Sequence, residues 1–222
     1  MPIDRIAAYV AKRESHDILL QMQNDALKDT SLYVLQNLLK TTPIEDKFKL
    51  LDDALKRVTI TGQYLEFGVF EGSSINHIAS KHPDHTIVGF DSFEGLPQDW
   101  FAGFKKGTFA LGDSPLPRVP KNVTLIKGWY NETLPSFART HAEPVAFLHI
   151  DCDLYSSTKD IFDNLSSAIC PGTVIVFDEY FNYPGWRNHE FKAFAEFISS
   201  SGLQYEYQAY CYRGEQVTIV IR

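Results

Sequence analysis

The sequence is poor in cysteine, in positive charge and in long apolar runs. Its three cysteines, Cys152, Cys170 and Cys211, form no C-x-x-C pair, which argues against a disulfide framework and against a cysteine zinc site. No apolar run approaches the ~20 residues of a membrane span, and residues 1–17 lack the apolar core of a secretory signal. The formal charge of −7 disfavours binding to a phosphate backbone. These absences predict a cytoplasmic protein that binds neither nucleic acid nor a membrane.

What is present favours a packed globular chain with a helical beginning. Hydrophobic residues make up 44% of the 222 residues and aromatic residues 14%, enough for a single-domain core. Within the first 60 residues, Phe48, Leu51, Leu55 and Val58 recur at three- and four-residue steps, which predicts an amphipathic helix. Residues 41–43 are interpreted as its cap and first turn. We therefore expect an N-terminal helical extension or lid over residues 1–60.

The pattern changes at Gln63, where the expected catalytic domain, residues 61–222, begins. Five short apolar segments alternate with helical stretches: QYLEFGV, TIVGFD, VTLIKG, VAFLHID and TVIVFDEY. This alternation predicts βαβ units and a parallel sheet with helices on both faces. The segments LQYEYQAY and QVTIVIR are separated only by a turn around residues 213–215, which predicts a terminal hairpin. The expected α/β fold, a Rossmann-like sheet of seven strands, mostly parallel with an antiparallel C-terminal strand, resembles the plan of class I methyltransferases.

A glycine-rich turn follows the first predicted strand, at the sheet edge where ligands bind in open α/β folds. Gly68 and Gly72 let the backbone approach a ligand, and Ser73 can cap the next helix. The acids Glu66 and Glu71 would repel a pyrophosphate, but they suit the ammonium and sulfonium groups of S-adenosylmethionine. The alternative interpretation is a tight strand-to-helix turn without a ligand.

Further cofactor contacts are expected after the second and third strands. Asp91 ends the second strand roughly 20 residues beyond the glycine turn, where an acid accepts hydrogen bonds from a ribose. Trp129, after the third strand, can pack on an adenine ring or in the core. The complete set of predicted cofactor contacts is Glu66, Gly68, Phe70, Gly72, Ser73, Asp91, Ser92, Phe93, Gly128 and Trp129.

Carboxylates end the next two strands. Asp151, Asp178 and Glu179 would repel one another in a cleft unless a divalent cation offset them, so they are the predicted Mg²⁺ ligands. Asp153 is the expected general base on a substrate hydroxyl. His149 is a second candidate because it alternates with Asp151 along the strand and shares its face. The alternative is that these acids cap helices or pair with basic side chains.

Five motifs occur together and in order: residues 64–69 (YLEFGV), 91–97 (DSFEGLP), 128–135 (GWYNETLP), 151–158 (DCDLYSST) and 178–180 (DEY). Over residues 63–195 they resemble the macrocin O-methyltransferase family, which methylates sugar hydroxyls of macrolides and related natural products. The resemblance implies an enzyme that uses S-adenosylmethionine and Mg²⁺, with the metal and cofactor residues given above and Asp153 as the base. It departs at Cys152, where the family has glycine, and at Glu179, where it often has aspartate.

The predicted function is therefore transfer of a methyl group from S-adenosylmethionine to a hydroxyl of a sugar or another vicinal-diol natural product. A catechol acceptor presents the same pair of neighbouring hydroxyls. The alternatives are a nicotinamide-dependent oxidoreductase on a similar sheet and a non-catalytic module that binds S-adenosylmethionine. The abundant aromatic residues and N-terminal helices also make a homodimer an expectation.

Overall fold

The computed structural model describes residues 15–101 and 103–222, and in this part the chain forms one mixed β-sheet flanked by helices. The strands are β1 (Thr42–Ile44), β2 (Gln63–Phe67), β3 (Ile87–Asp91), β4 (Val123–Lys127), β5 (Val145–Ile150), β6 (Val174–Phe177), β7 (Tyr205–Cys211) and β8 (Val217–Ile221). The helices are α1 (Ile18–Asn37), α2 (Lys47–Lys56), α3 (Ser73–Lys81), α4 (Tyr130–Thr140), α5 (Tyr155–Leu165) and α6 (Glu190–Ser201), with a 3₁₀ turn at Trp186–Asn188.

The strand order is β1-β7-β8-β6-β5-β2-β3-β4. Strands β2 to β6 pair in parallel, whereas β8 runs antiparallel to both β6 and β7. This order confirms the predicted α/β class, the mostly parallel sheet and the C-terminal hairpin. Strands β3 and β4 lie on one side of β2, whereas β5 and β6 lie on its other side. A crevice therefore opens at the carboxyl ends of β2 and β5, where the strand order reverses.

The sheet has an apolar layer on each face, as a parallel sheet requires. Helices α4, α5 and α6 contact one another in sequence and bury side chains such as Phe137, Phe162 and Phe194 in one cluster. Helices α2 and α3 contact each other and bury residues such as Leu51 and Ile78 in the second cluster. The sheet is thus held between two helical layers, and its carboxyl-end loops remain at the surface.

The expectation of helix alone over the first 60 residues was wrong at residues 41–43. Thr42–Ile44 form the edge strand β1, which pairs in parallel with β7. The sheet of the described residues therefore has eight strands, where seven were predicted. Pro43 lacks an N–H, which an edge strand tolerates because one side of it has no partner. The cap of α2 is Asp46, whose side chain accepts a hydrogen bond from the Lys49 backbone N–H at 3.0 Å. Residues 1–14 of the predicted extension lie outside the described part of the chain.

Helix α1 packs on the α6 side of the sheet through polar contacts as well as apolar ones. The hydroxyls of Tyr33 and Tyr180 lie 2.5 and 2.6 Å from the hydroxyl of Tyr207. The Asp29 carboxylate on α1 accepts two hydrogen bonds from the Arg187 guanidinium. Among the helices of the described residues, none is both long and apolar enough to cross a membrane.

Candidate functional site

A cavity of about 670 Å³ lies at the carboxyl ends of strands β2 to β6. This volume is within the usual range for small-molecule sites. One end is lined by the glycine turn and its neighbours: Gly68, Phe70, Glu71, Ser73, Asp91, Ser92, Gly128 and Trp129. The other end is lined by acids and one base: Lys47, Asp151, Asp153, Asp178 and Glu179. The topology therefore joins the predicted cofactor residues and the predicted acid cluster in one space.

Gly68 permits the close approach that joins the two ends. Its φ is +94°, and a Cβ there would lie 1.6 Å from the backbone carbonyl oxygen of Asp151. The Asp151 N–H donates to the Phe67 carbonyl at 2.8 Å, so the ends of β2 and β5 touch at this point. Gly72 also has a positive φ, +84°, and it precedes α3 without lining the cavity.

Asp91 holds the glycine turn in shape through its carboxylate. Oδ2 accepts hydrogen bonds from the backbone N–H groups of Val69 and Phe70, both at 2.8 Å, and Oδ1 accepts one from Phe93 at 2.6 Å. Phe70 and Phe93 adopt positive φ values of 46° and 57°. A carboxylate has about four acceptor positions, so one remains for a ligand. Phe93 is buried and does not line the cavity.

Glu66 lies beneath the cavity rather than in its lining, contrary to the predicted cofactor contact. The side chain is fully buried, accepts a hydrogen bond from the Ser74 hydroxyl at 3.0 Å, and lies 3.0 Å from the His149 Nδ1. Glu66 faces His149 directly across the β2–β5 pair. Their side chains thus share one face of the sheet, and each gives the other a partner in the core.

His149 is not placed to act as a general base. It is fully buried, does not line the cavity, and lies between the carboxylates of Glu66 and Asp178, whose Oδ1 is 3.7 Å from Nε2. Burial alone would lower the pKa of His149, but the Asp178 and Glu66 carboxylates outweigh it and raise the pKa to about 10. A ring that already carries its proton cannot accept one from a substrate, so Asp153 is left as the candidate base.

The acid cluster offers oxygen atoms that suit a divalent cation. Ligand atoms of His149, Asp151 and Asp178 lie within 4.8 Å of one another, and Glu179 is not in this group although it lines the same cavity. Within the described part of the chain, Asp178 Oδ1 and Glu179 Oε2 are buried and accept no hydrogen bond. Such oxygens are costly to bury unless a cation or donor reaches them, so the cluster fits a hard cation.

The acids of the cluster differ in the direction in which their pKa values are shifted. Burial raises the pKa of Asp151 and of Glu179 well above their usual values. It also raises the pKa of Asp153 to about 7, with the Asp178 charge adding to the effect. Burial works in the same direction on Asp178, but the neighbouring His149 ring and the charge of the Lys47 ammonium lower its pKa to about 2. Asp178 is thus the carboxyl group of the cluster whose ionised form is most strongly stabilised.

Asp153 is held in a strained conformation at the cavity wall. Its φ is +64°, in the left-handed region, and the residue is 8% exposed. A non-glycine residue pays about 1–3 kcal/mol for such a backbone, and this strain is found mainly at functional sites. This strained and nearly buried residue lines the cavity that the acids share.

Sequence reasoning missed two residues of this site. The Lys47 ammonium lies 3.3 Å from Asp178 Oδ2 and 4.0 Å from Asp151 Oδ2. The fully buried Glu190 carboxylate accepts hydrogen bonds from the backbone N–H groups of Cys152 and Glu179, at 3.3 and 3.2 Å, and so ties the two acid-bearing loops together. A signal for Glu190 was available in the sequence, because it precedes Ala193, Phe194 and Phe197 by three, four and seven residues and so lies on the apolar face of α6. None was available for Lys47.

Comparisons with known proteins identify the family of this chain and proteins similar to it. Residues 65–180, slightly more than half of the chain, match the family model described as a methyltransferase domain. Demethyldecarbamoylnovobiocin O-methyltransferase of Streptomyces niveus is 29% identical over 147 residues, which cover 56% of this chain and 55% of the relative. A tetracenomycin-type 4′-O-methyltransferase of Streptomyces olivaceus, whose named substrate carries a dimethoxy-rhamnosyl group, is 29% identical over 146 residues, which cover 54% of each chain.

The chain therefore spans about half the length of the curated relatives it matches. Among solved structures, CalS11, a calicheamicin methyltransferase, superimposes with a TM-score of 0.65 and 22% identity over 78% of this chain and 77% of that one. At this identity the likeness concerns the fold.

Proposed function

We propose, since this chain belongs to the methyltransferase-domain family, that it is an O-methyltransferase that uses S-adenosylmethionine and a divalent cation, Mg²⁺. The proposed acceptor is a hydroxyl of a sugar or other vicinal-diol natural product. The observation that carries the proposal is the contact between Gly68 and Asp151, which places the glycine turn directly beside the acid cluster. A methyl donor and an oxygen nucleophile could thus be held side by side in one cavity. A narrower assignment, to the macrocin O-methyltransferases, remains a prediction.

The glycine-turn end of the cavity is the proposed cofactor site. Gly68 and Gly128 bring backbone close to the ligand, while Asp91 keeps one acceptor position for a ribose hydroxyl. Trp129 offers a ring for the adenine. Because Glu66 is buried below, Glu71 is the remaining acid of the turn that lines the cavity and can face the cofactor's positive groups.

The acid end is the proposed metal and acceptor site, with Asp151, Asp178 and Glu179 as the residues that would hold the ion. When bound, Mg²⁺ would supply a positive charge that lowers the pKa of an acceptor hydroxyl. Asp153 accepts the proton of that hydroxyl, since its pKa of about 7 is matched to proton transfer near neutral pH. The buried His149 keeps Asp178 ionised from below.

The proposed chemistry makes orientation the main task of the protein, because the methyl group of the cofactor is already activated. The acceptor oxygen must lie in line with the methyl–sulfur bond, and holding the two reactants in that geometry is the effect worth most here. The two Streptomyces relatives are named for acceptors that belong to decorated natural products, one of them carrying a rhamnosyl sugar. These two relatives favour a sugar hydroxyl over a catechol as the acceptor. Screening of both acceptor classes tests this preference.

The first test is calorimetric titration with S-adenosylmethionine, with and without Mg²⁺, on wild-type protein and on Asp151→Ala. We expect saturable binding to both proteins, followed by Mg²⁺-dependent transfer to polyhydroxylated sugars in the wild type alone. Absence of binding under both conditions, or saturable binding of a nicotinamide cofactor instead, would overturn the proposal. Binding without transfer to any diol would identify a non-catalytic module.

We also propose that the chain forms a homodimer through α1, in the N-terminal extension. Of the twelve exposed large hydrophobic residues in the described part of the chain, eight lie between Ile18 and Leu39. Leu32 and Leu35 are three residues apart on α1 and so share one face of the helix. The same apolar face on two copies can pair about a two-fold axis. Light scattering on Leu32→Glu and Leu35→Glu should show monomers where the wild type shows dimers, and a monomeric wild type would refute the assignment.

A further inference from the structure

Lys47 is a cation built into the acid cluster from a distant part of the chain. It is the first residue of α2, directly after the cap residue Asp46, and its side chain is 36% exposed at the cavity wall. The hydrogen bond from its ammonium to Asp178 Oδ2, at 3.3 Å, spans 131 residues of sequence. The same ammonium is 4.0 Å from Asp151 Oδ2. It therefore lies between two carboxylates that the proposed function assigns to the metal.

Lys47 and a divalent cation would compete for the same carboxylate oxygens. Mg²⁺ binds carboxylate oxygens at about 2.0–2.1 Å in a near-octahedral shell, which includes the region that the ammonium now faces. Two positive charges beside the same carboxylate oxygen repel each other strongly at so short a distance. Asp178 Oδ1 is buried and lies 3.7 Å from Nε2 of the buried His149. A metal ion that enters from the cavity therefore uses Oδ2 and has to displace the ammonium.

The two cations that touch Asp178 differ in their freedom to leave. His149 is fully buried and fixed on its other side by Glu66. The Lys47 ammonium lies at the end of a flexible, partly exposed side chain that lines the open cavity. Lys47 is thus the cation that can give way while His149 stays.

We infer that Lys47 is a resident counter-cation of the acid cluster, which a divalent metal must displace, and that it thereby sets the metal affinity of the site. The inference rests on the metal site of the proposed function. It assigns to α2 a role that the strand-end motifs do not contain. In the metal-free protein the ammonium offsets the negative charge of Asp178 and Asp151. In the metal-bound protein it is turned away from them into the cavity.

The test measures binding of Mn²⁺ alone, by electron paramagnetic resonance and calorimetry, to wild-type protein and to Lys47→Met, Lys47→Arg and Lys49→Met. Lys49 is the matched control, since it lies on the same helix and pairs with Glu45 and Asp46 outside the cavity. We expect Lys47→Met to bind Mn²⁺ at least tenfold more tightly than wild type. Lys47→Arg, which keeps the charge, and Lys49→Met should stay within about threefold.

Thermal unfolding in a chelator gives a second readout. Lys47→Met should unfold at a lower temperature than wild type without metal, and Mn²⁺ should raise its unfolding temperature more. Mn²⁺ affinity that is unchanged or weaker in Lys47→Met overturns the inference. If no protein in the set binds Mn²⁺, the inference fails together with the metal site, while S-adenosylmethionine titration of the same samples shows whether the cofactor site stands. If Lys47→Met does not fold, loss of Mn²⁺ affinity in Lys47→Arg to below one-tenth of wild type overturns it equally.

Discussion

The substitution Gly68→Ala tests the contact on which the whole site depends. The new methyl group would meet the Asp151 carbonyl oxygen at 1.6 Å, and the backbone there has a φ of +94°. A left-handed backbone costs an alanine about 1–2 kcal/mol, and forcing extra volume between packed atoms costs about 1–3 kcal/mol more. The free energy of unfolding should therefore fall by about 2–5 kcal/mol.

The matched control is Gly202→Ala, at the end of α6. Gly202 has a φ of +72°, and a Cβ there would meet no atom within 4 Å. This variant carries the cost of the backbone conformation alone, about 1–2 kcal/mol. The difference between the two variants therefore isolates the contact between Gly68 and Asp151.

Urea unfolding measures both costs, and titration with S-adenosylmethionine and Mn²⁺ measures the effect on the cavity. With a slope of about 2 kcal/mol per molar urea, a loss of 3 kcal/mol lowers the midpoint by about 1.5 M. Displacement of Asp151 by an ångström should slow methyl transfer by about 100-fold. If Gly68→Ala were no less stable than Gly202→Ala and bound both ligands normally, the close approach of β2 and β5 would be shown to matter neither for stability nor for ligand binding.

Two further predictions concern the acids. Because the pKa of Asp153 is raised to about 7 in the folded protein, its contribution to stability is present at low pH and is lost as pH rises toward 7. Metal-free Asp153→Asn should thus be more stable than wild type at pH 8 but not at pH 4. Thermal unfolding against pH checks this, with Asp113→Asn, at an exposed position, as the control. In the metal-loaded enzyme the same substitution should slow methyl transfer about 10²–10⁴-fold. Glu190→Met removes the acceptor shared by two loops and should weaken Mn²⁺ binding about 10–100-fold. Glu196→Met, on the same helix, should not, and equal affinities would contradict the role given to Glu190.

The acid cluster could be predicted from sequence because its members follow adjacent parallel strands. Asp151, Asp153, Asp178 and Glu179 each come directly after an apolar run, and the carboxyl ends of parallel strands meet at one edge of a sheet. The fold follows from the same alternation of strands and helices. The structure brings all four acids to one cavity.

The direction of side chains could not be predicted in the same way. Glu66 and Asp91 both come from strand ends next to the turn, yet one points into the core and the other holds the turn. A change of one residue in register decides which face a side chain takes. Lys47 could not be predicted because it lies on α2, outside the strand-end motifs, and its ammonium meets Asp178 across 131 residues of sequence.

The buried row of Glu66, His149 and Asp178 also constrains how this protein can change over evolutionary time. Losing one member leaves its neighbour as an unsatisfied charge in the core, which is far more costly than replacing an ion pair as a unit. Substitutions at Glu66 and His149 should accordingly be strongly non-additive, since they share one interaction. Sequences that drift away from this row are expected to lose Glu66 and His149 together, and intermediates with only one of them should be rare.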